Sequence, residues 1–519
     1  MRCETLCRGF RDVINGTVEI KYKLALARAG KVELGQSRLC IADRLEALRT
    51  PYTTTAALSL DALPFIPLPD EVVPHWPDMT EGFIPFLTNY RADLVLWRPV
   101  LHPGPRSAQE ERRSIPRIMR HLLEDSFRIP PAVMCALAVD LAQDLLVFSR
   151  PARPEITPAE CYVYSISEGG PHPKAGGLRP FKIPFHFVIG DNGFGTTEDL
   201  QIFGDVVAWS VTDNQHSAAV ISSNHVVLVT AQSLSVYKFD EFTQHAPPPA
   251  SLATALCVLE LPRLNASRFA PYVRAYMQFP PSAPSRDAAD RHAASSGVAF
   301  GLDPAQTVLV VTLLHSTDID PEFRLRLDPK DRNVSERFAI FVPLATLFKL
   351  ACPMPLRAGI DRDTTQTQAW ARRRTVPWAQ WGPEGTRIVR FEYISHISVM
   401  GSRCAFMLYD RHAGTLHTVL FDVRRGARDN SDAARERLEN VNLGDDDSAS
   451  ELVDVREVLA ENLSFAEEVR TTFPAEVVHK AHPGWSAGFL LEDCVAISQQ
   501  LRVTHPGVGY QGYDPINWL

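Results

Sequence analysis

Sixteen histidines and 61 acidic residues give this chain ample material for acid–base or metal chemistry, if any of it is suitably spaced. His479 and His482 stand three apart, with Glu476 upstream and Trp485 downstream. A zinc ion there needs at least a third ligand, and Glu476 is the available one; the simpler reading is a turn region. His75, His102, His121, His172, His186 and His225 show no regular spacing, and Glu467 and Glu468 are merely adjacent. No general acid and base can be named from such positions. Gly444-Asp-Asp-Asp-Ser448 lacks the alternating oxygen ligands of a calcium loop. Arg112-Arg113, set among acidic neighbours, reads as a solvated face before it reads as a phosphate site. The phosphate-binding loop and the zinc-protease helix are missing from the sequence. Gly484-Trp-Ser-Ala-Gly488 and Gly507-Val-Gly-Tyr-Gln-Gly512 match the bare spacing of the serine-hydrolase elbow and the dinucleotide glycine pattern, but the first leads into the expected strand Phe489–Ser498 and the second into Tyr513-Asp-Pro515, and neither opens the helix those motifs require. No catalytic, metal or cofactor-binding residue is assigned, and no cofactor is expected.

Two tryptophans are more informative. Trp378 and Trp381 lie in Val376-Pro-Trp-Ala-Gln-Trp-Gly-Pro-Glu-Gly-Thr386. Two indoles close together, with Pro377 fixing one backbone angle and Gly382 freeing another, predict a compact apolar turn plugged between sheets. The functional alternative is an aromatic ledge facing a ligand, which makes Trp378 and Trp381 the candidate recognition surface.

Composition bounds what these residues can serve. A chain of 519 residues with 45% hydrophobic side chains can bury a large core, or two to three. A net charge of −8 argues against a nucleic-acid surface, which needs a basic excess. Forty prolines against 28 glycines favour many short elements over long helices. Nine cysteines, without a Cys-x-x-Cys pair and mostly within apolar runs, read as buried free thiols of a reducing compartment, cytoplasm or nucleus. No apolar run reaches the ~20 residues of a membrane span.

The N-terminal 50 residues carry helical stripes: Leu6, Phe10, Val13 and Ile14; then Val18, Tyr22, Ala25 and Ala29; then Ile41, Leu45 and Leu48. The third opens at Cys40, without the usual capping hydroxyl. Residues 51–130 are broken by prolines yet hold Phe65, Trp76, Phe83 and Phe86, which predicts an ordered connector laid across a folded surface. Arg117 to Glu124 is expected as a short helix within it. From about residue 131 strands dominate, starting with Val139 to Ser149 and Cys161 to Ile166. Phe185–Ile189, Asp205–Val211, Ala218–Ser222, Asn224–Thr230, Leu234–Phe239, Leu256–Leu261, Gln306–Leu314, Arg337–Val342, Arg387–Phe391, Ile397–Leu408, Leu416–Val423 and Phe489–Ser498 follow. Almost wholly apolar strands alternate with half-polar ones, as inner and outer propeller strands do. A pair of β-sandwiches is the other architecture compatible with the pattern. Solvated insertions are expected near 280–296 and 424–451.

Leu6-Cys-Arg-Gly-Phe-Arg-Asp-Val-Ile14 resembles the last helix of an F-box. Val18 to Gly30 and Arg44 to Arg49 resemble the segment that follows it in a large family of basidiomycete (mushroom) F-box proteins. Asp140-Leu-Ala-Gln-Asp-Leu-Leu-Val147 resembles the first strand of that family's propeller-like region, and Val376–Thr386 a late segment. The opening Leu-Pro and first two helices of the box have no counterpart before Met1, so the box is expected to be truncated. The resemblance implies a mainly β protein: a helical segment over 1–50, a proline-rich connector over 51–130, and a β-propeller-like domain over 131–519. It also implies a non-enzymatic substrate receptor of a Skp–cullin ubiquitin ligase. Leu6, Phe10, Val13 and Ile14 are then core or adaptor-facing positions, the Skp adaptor is a partner bound weakly or not at all, and the propeller holds an unknown protein target. A propeller-fold hydrolase or lyase with a central-channel site is the alternative.

Overall fold

The structure, a computed structural model, describes most of residues 13–48, 137–175, 197–238, 255–277, 300–317, 336–351 and 374–423. Strands within 72–115, 181–183 and 476–498, and positions 469 and 471, complete the described residues. Leu6, Phe10, the expected helix at 117–124, the expected strand Phe185–Ile189 and both expected insertions lie outside them.

Helix α1 (Val18–Ala29) opens with Glu19 in its first turn, where a carboxylate suits the positive end of the helix dipole. Residues 41–46 and 48 are also helical. Tyr22, Leu45 and Leu48 make a small core between the two, joined by Val18, Ala25, Leu26 and Ile41. All but Leu26 belong to the second and third helical stripes. The missing hydroxyl cap is replaced by sulfur. The Asp43 backbone N–H donates to Cys40 Sγ (3.4 Å), while the Cys40 thiol donates to Asp43 Oδ2 (3.0 Å). That is the N-cap half of a capping box with a weaker acceptor; the Asp43 carboxylate accepts from the thiol in place of the Cys40 backbone N–H.

The helices are tied to the β region. Strand β1 (Lys31–Glu33) pairs antiparallel with residues 300–302, and the Gln306 side-chain amide donates to the Ala27 carbonyl (3.2 Å). Glu33 of β1 accepts from Tyr22 (2.8 Å) and pairs with Arg44 (2.6 Å). Burial and the Glu33 bond push the Tyr22 phenol up to about 12.

The first full sheet falls within the expected connector. Strands β2 (Val72–Val73), β3 (Ile84–Thr88), β4 (Leu94–Val100) and β5 (Gln109–Ile115) form an antiparallel meander. A second sheet comprises β6 (Leu137–Asp140), β7 (Leu145–Arg150), β8 (Ala159–Ser165), β9 (Gly170–Pro171) and β10 (Phe181–Ile183). Here the single strand expected from Val139 to Ser149 is instead two, split by a turn. Strands β11 (Thr197–Phe203) and β12 (Val206–Thr212) are a hairpin. A third meander runs through β13 (His216–Ser222), β14 (His225–Thr230), β15 (Ser233–Lys238) and β16 (Cys257–Glu260).

Next in the chain come β17 (Arg268–Tyr276), β18 (Phe300–Leu302, the partner of β1), β19 (Val308–Thr317), β20 (Glu336–Pro343), helix α2 (Leu344–Ala351), β21 (Arg374–Val376), helix α3 (Trp378–Gly385) and β22 (Arg387–Phe391). Strands β17, β19, β20 and β22 make a fourth antiparallel sheet, and β21 adds in parallel beside β16. The last meander is β23 (His396–Met400), β24 (Arg403–Asp410), β25 (Thr415–Asp422) and β26 (Glu476–Pro483), followed by the hairpin of β27 (Ala487–Leu490) and β28 (Val495–Ser498). The protein is thus mainly β, built of several antiparallel sheets with few helices. No pairing among the described strands joins the first sheet to the last, so the propeller-like ring expected from sequence is not closed among them.

The sheet β17–β22 is buried on both faces. Leu309, Val311 and Leu313 of β19 join a core shared with β13–β16, while Val308 and Val310 join a core shared with β23–β25. On β20, Phe338, Ile340 and Val342 face the first core, and Ala339 and Phe341 the second. Both phases of a period-two pattern are apolar, which is why Val308–Leu313 reads as a near-continuous hydrophobic run. Phe341, Phe406 and Phe421 fix the second core, with ring centroids 5.1–5.8 Å apart.

One backbone bond recurs. The residue after the third strand donates its N–H to the carbonyl just before the second: Ile166 to Asp144 (3.1 Å), Leu344 to Thr307 (3.0 Å), Val423 to Ser402 (2.8 Å). Three sheets therefore close the same end in the same way.

Candidate functional site

The tryptophan segment is a helix, not the expected turn. Pro377, extended at φ −67° and ψ 151°, ends β21 and starts α3. Trp378, Trp381, Gly382 and Gly385 then fall at i, i+3, i+4 and i+7, one face of a helix. Trp381 is 4% exposed, within the core between the β13–β16 and β17–β22 sheets. Its Nε1–H donates to the Glu260 carbonyl at the end of β16 (3.0 Å). Trp378 is half-buried, edge-on to Trp381 with centroids 5.2 Å apart. The Thr386 backbone N–H (3.0 Å) and hydroxyl (2.7 Å) both donate to the Gly382 carbonyl, and Thr346 of α2 donates to the Gly385 carbonyl (3.3 Å). Of the two candidate recognition residues, Trp381 is buried and Trp378 half-buried.

The Trp378 indole lies across Gly382. A Cβ built on that glycine would come within 2.3 Å of the ring. At an unobstructed helical site Gly→Ala gains up to about 1 kcal/mol; overpacking a fitted site costs about 1–3 kcal/mol. The clash wins, so Gly382→Ala should lower the urea midpoint. The same change made in a Trp378→Ala background should be neutral or stabilising. A loss of equal size in both backgrounds would show that the indole is not the obstacle.

Of the N-terminal candidates, Val13 is 56% exposed and Ile14 half-buried. Val13 and Val207 are the large apolar residues most open to solvent among those described.

Two polar clusters sit at sheet ends. Asp144, in the left-handed region at φ 58°, follows Asp140, whose carboxylate accepts from the Gln143 backbone (3.0 Å) and side-chain amide (2.6 Å). Asp144 accepts from the Ser165 hydroxyl (2.5 Å), the Ser167 hydroxyl (2.6 Å) and the Ser167 backbone N–H (2.8 Å). In the second cluster Ser222 Oγ is 2.8 Å from His225 Nδ1 and donates to Asn224 Oδ1 (3.1 Å). Burial, then the charge of Lys238, lowers the His225 pKa. A serine nucleophile needs a base whose cation is stabilised by a carboxylate. Here burial and the charge of Lys238 disfavour that cation, and the Ser222–His225 contact spans the β13–β14 turn. Neither cluster was singled out from sequence. The available signal was a short polar residue at the head of an apolar run: Asp144 and Thr307 directly before it, Asn224 and Ser402 one residue earlier.

His479 and His482 both fall on β26, and positions three apart on a strand lie on opposite faces. Among the described residues no three His, Cys, Asp or Glu side chains converge as metal ligands would. Cys161, Cys257 and Cys404 are buried free thiols and Cys40 is exposed; burial pushes the Cys404 thiol well up. No described helix is long and apolar enough to cross a membrane. Neither a protein-family model nor a curated protein matches this chain.

Proposed function

We propose that the chain is a non-enzymatic interaction module of the F-box receptor kind, with a propeller-like β region that presents a protein target. The observation that carries the reading is the doubly buried sheet of β17, β19, β20 and β22 within a series of sheets of four or five strands, nearly all antiparallel, that follow one another along the chain. Blades stacked around an axis bury both faces in this way. The N-terminal helices, held by β1 and Gln306, supply the place where an adaptor-side element would be fixed to that scaffold. They carry Val18–Gly30 and Arg44–Arg49, which resemble the segment that follows an F-box.

The test is a binding titration of the chain against the Skp adaptor. Binding energy in such interfaces concentrates in a few central residues. Only the last helix of the box is recognisable, so weak or undetectable binding is expected. Submicromolar affinity would show that the first 50 residues hold a complete docking surface. A closed ring of blades in an experimental structure would support the β half of the reading, and a pair of separate sandwiches would overturn it.

A further inference from the structure

Strand β22 ends its sheet: the order is β17, β19, β20, β22, and among the described residues no strand pairs with its far side. Ile388 lies opposite Ile340 of β20, yet its N–H donates to Thr471 Oγ1 (3.2 Å). Thr471 is 5% exposed. Val469, 3% exposed, belongs to the core that also holds Ile388 and Trp381. Two residues apart, both side chains reach the sheet, as alternate positions of an extended segment do. They come from the connection between β25 and β26, and β25 packs Val419 and Phe421 into the other core. Between those two strands the chain therefore reaches past the edge of β22 to the core on its far face.

The outer edge of a sheet presents N–H and C=O groups that template a further strand. A paired strand would meet the Ile388 N–H with a backbone carbonyl and continue the ladder on either side of it. Here a side-chain hydroxyl takes that place and one valine fills the apolar space. We propose that the outer edge of β22 is a docking site for an extended protein segment, held shut by the chain's own Val469 and Thr471. The fitting partner carries a β-branched apolar residue two positions before a threonine and pairs its backbone with β22. It reproduces both resident side chains and adds the ladder they lack, so it displaces them. This deepens the reading of the β region as the target-presenting part and rests on it for the occupant being a protein target; adaptor binding plays no part in it.

The probe is a fluorescent synthetic peptide of residues 466–474, titrated against the full chain. Apparent affinity scales with the fraction of molecules whose edge is open. Val469→Ala combined with Thr471→Val weakens the resident contact without placing a charge in the core. This double variant should bind the peptide at least about tenfold more tightly than wild type. Thr471→Val alone, which keeps the side chain's shape, should move affinity the same way by less. Hydrogen–deuterium exchange should show β22 loosened in the double variant, β19 unchanged, and β22 protected again by the peptide. The peptide carrying the same two substitutions should not restore that protection. Equal affinity for variants and wild type, binding to none of them, or an unchanged β22 would overturn the site, whatever the Skp titration gives. Equal loosening of β19 would overturn it too, because the two residues would then hold the whole core and not a displaceable edge.

Discussion

Replacing Trp381 by alanine is expected to destabilise the protein by about 3–5 kcal/mol, the range for deleting a buried tryptophan side chain. The indole fills the core between two sheets, and its N–H satisfies the Glu260 carbonyl at the end of β16. Truncation leaves both a cavity and an unpaired acceptor, the latter adding about 1 kcal/mol or more. α3 would also lose the ring on which Trp378 rests. Denaturant unfolding of wild type and Trp381→Ala reads the difference. Gln380→Ala, at an exposed position on the same helix, should change little. An unchanged midpoint for Trp381→Ala would sink the anchoring role and make α3 the leading recognition surface.

That helix shows where the sequence was legible. The identities and packing role of Trp378 and Trp381 could be inferred, since two indoles beside Pro and Gly have few ways to avoid water. The conformation could not. Pro377 and Gly382 read as turn residues, although Pro377 is placed where a helix starts and Gly382 lies inside that helix. Prolines misled in the other direction at 51–130, where Pro85 sits within β3 and Pro99 within β4, each in a paired register.

Apolar strands were legible because burial on both faces removes any need for alternation. Turns inside apolar runs were not. Val139–Ser149 and Ile397–Leu408 each looked like one strand, and Asp144 and Gly401 fold them back through positive φ. Pairings such as β1 with β18, or β21 with β16, join segments far apart in sequence, and no local pattern announces them.

The Asp140–Asp144 turn carries the other large expected effect. Asp144→Ala should destabilise by about 2–4 kcal/mol, from two independent sources. Alanine in the left-handed region costs about 1–2 kcal/mol, which aspartate tolerates better. The lost carboxylate leaves the Ser165 hydroxyl, 1% exposed, without its acceptor, and hydrogen bonds to charged groups are worth about 1.5–3 kcal/mol. Asp144→Asn should recover part of the loss, because asparagine accepts positive φ and keeps one acceptor oxygen. The recurring backbone bond sets the control. Thr307 occupies the same place before β19, but its buried hydroxyl has no partner among the described residues. Thr307→Val keeps the shape and the Leu344-to-carbonyl bond while removing an unsatisfied group, so it should be neutral or stabilising. Urea midpoints of the three variants separate backbone from side chain. If Thr307→Val were as damaging as Asp144→Ala, the shared backbone closure rather than the carboxylate would be what holds these sheet ends.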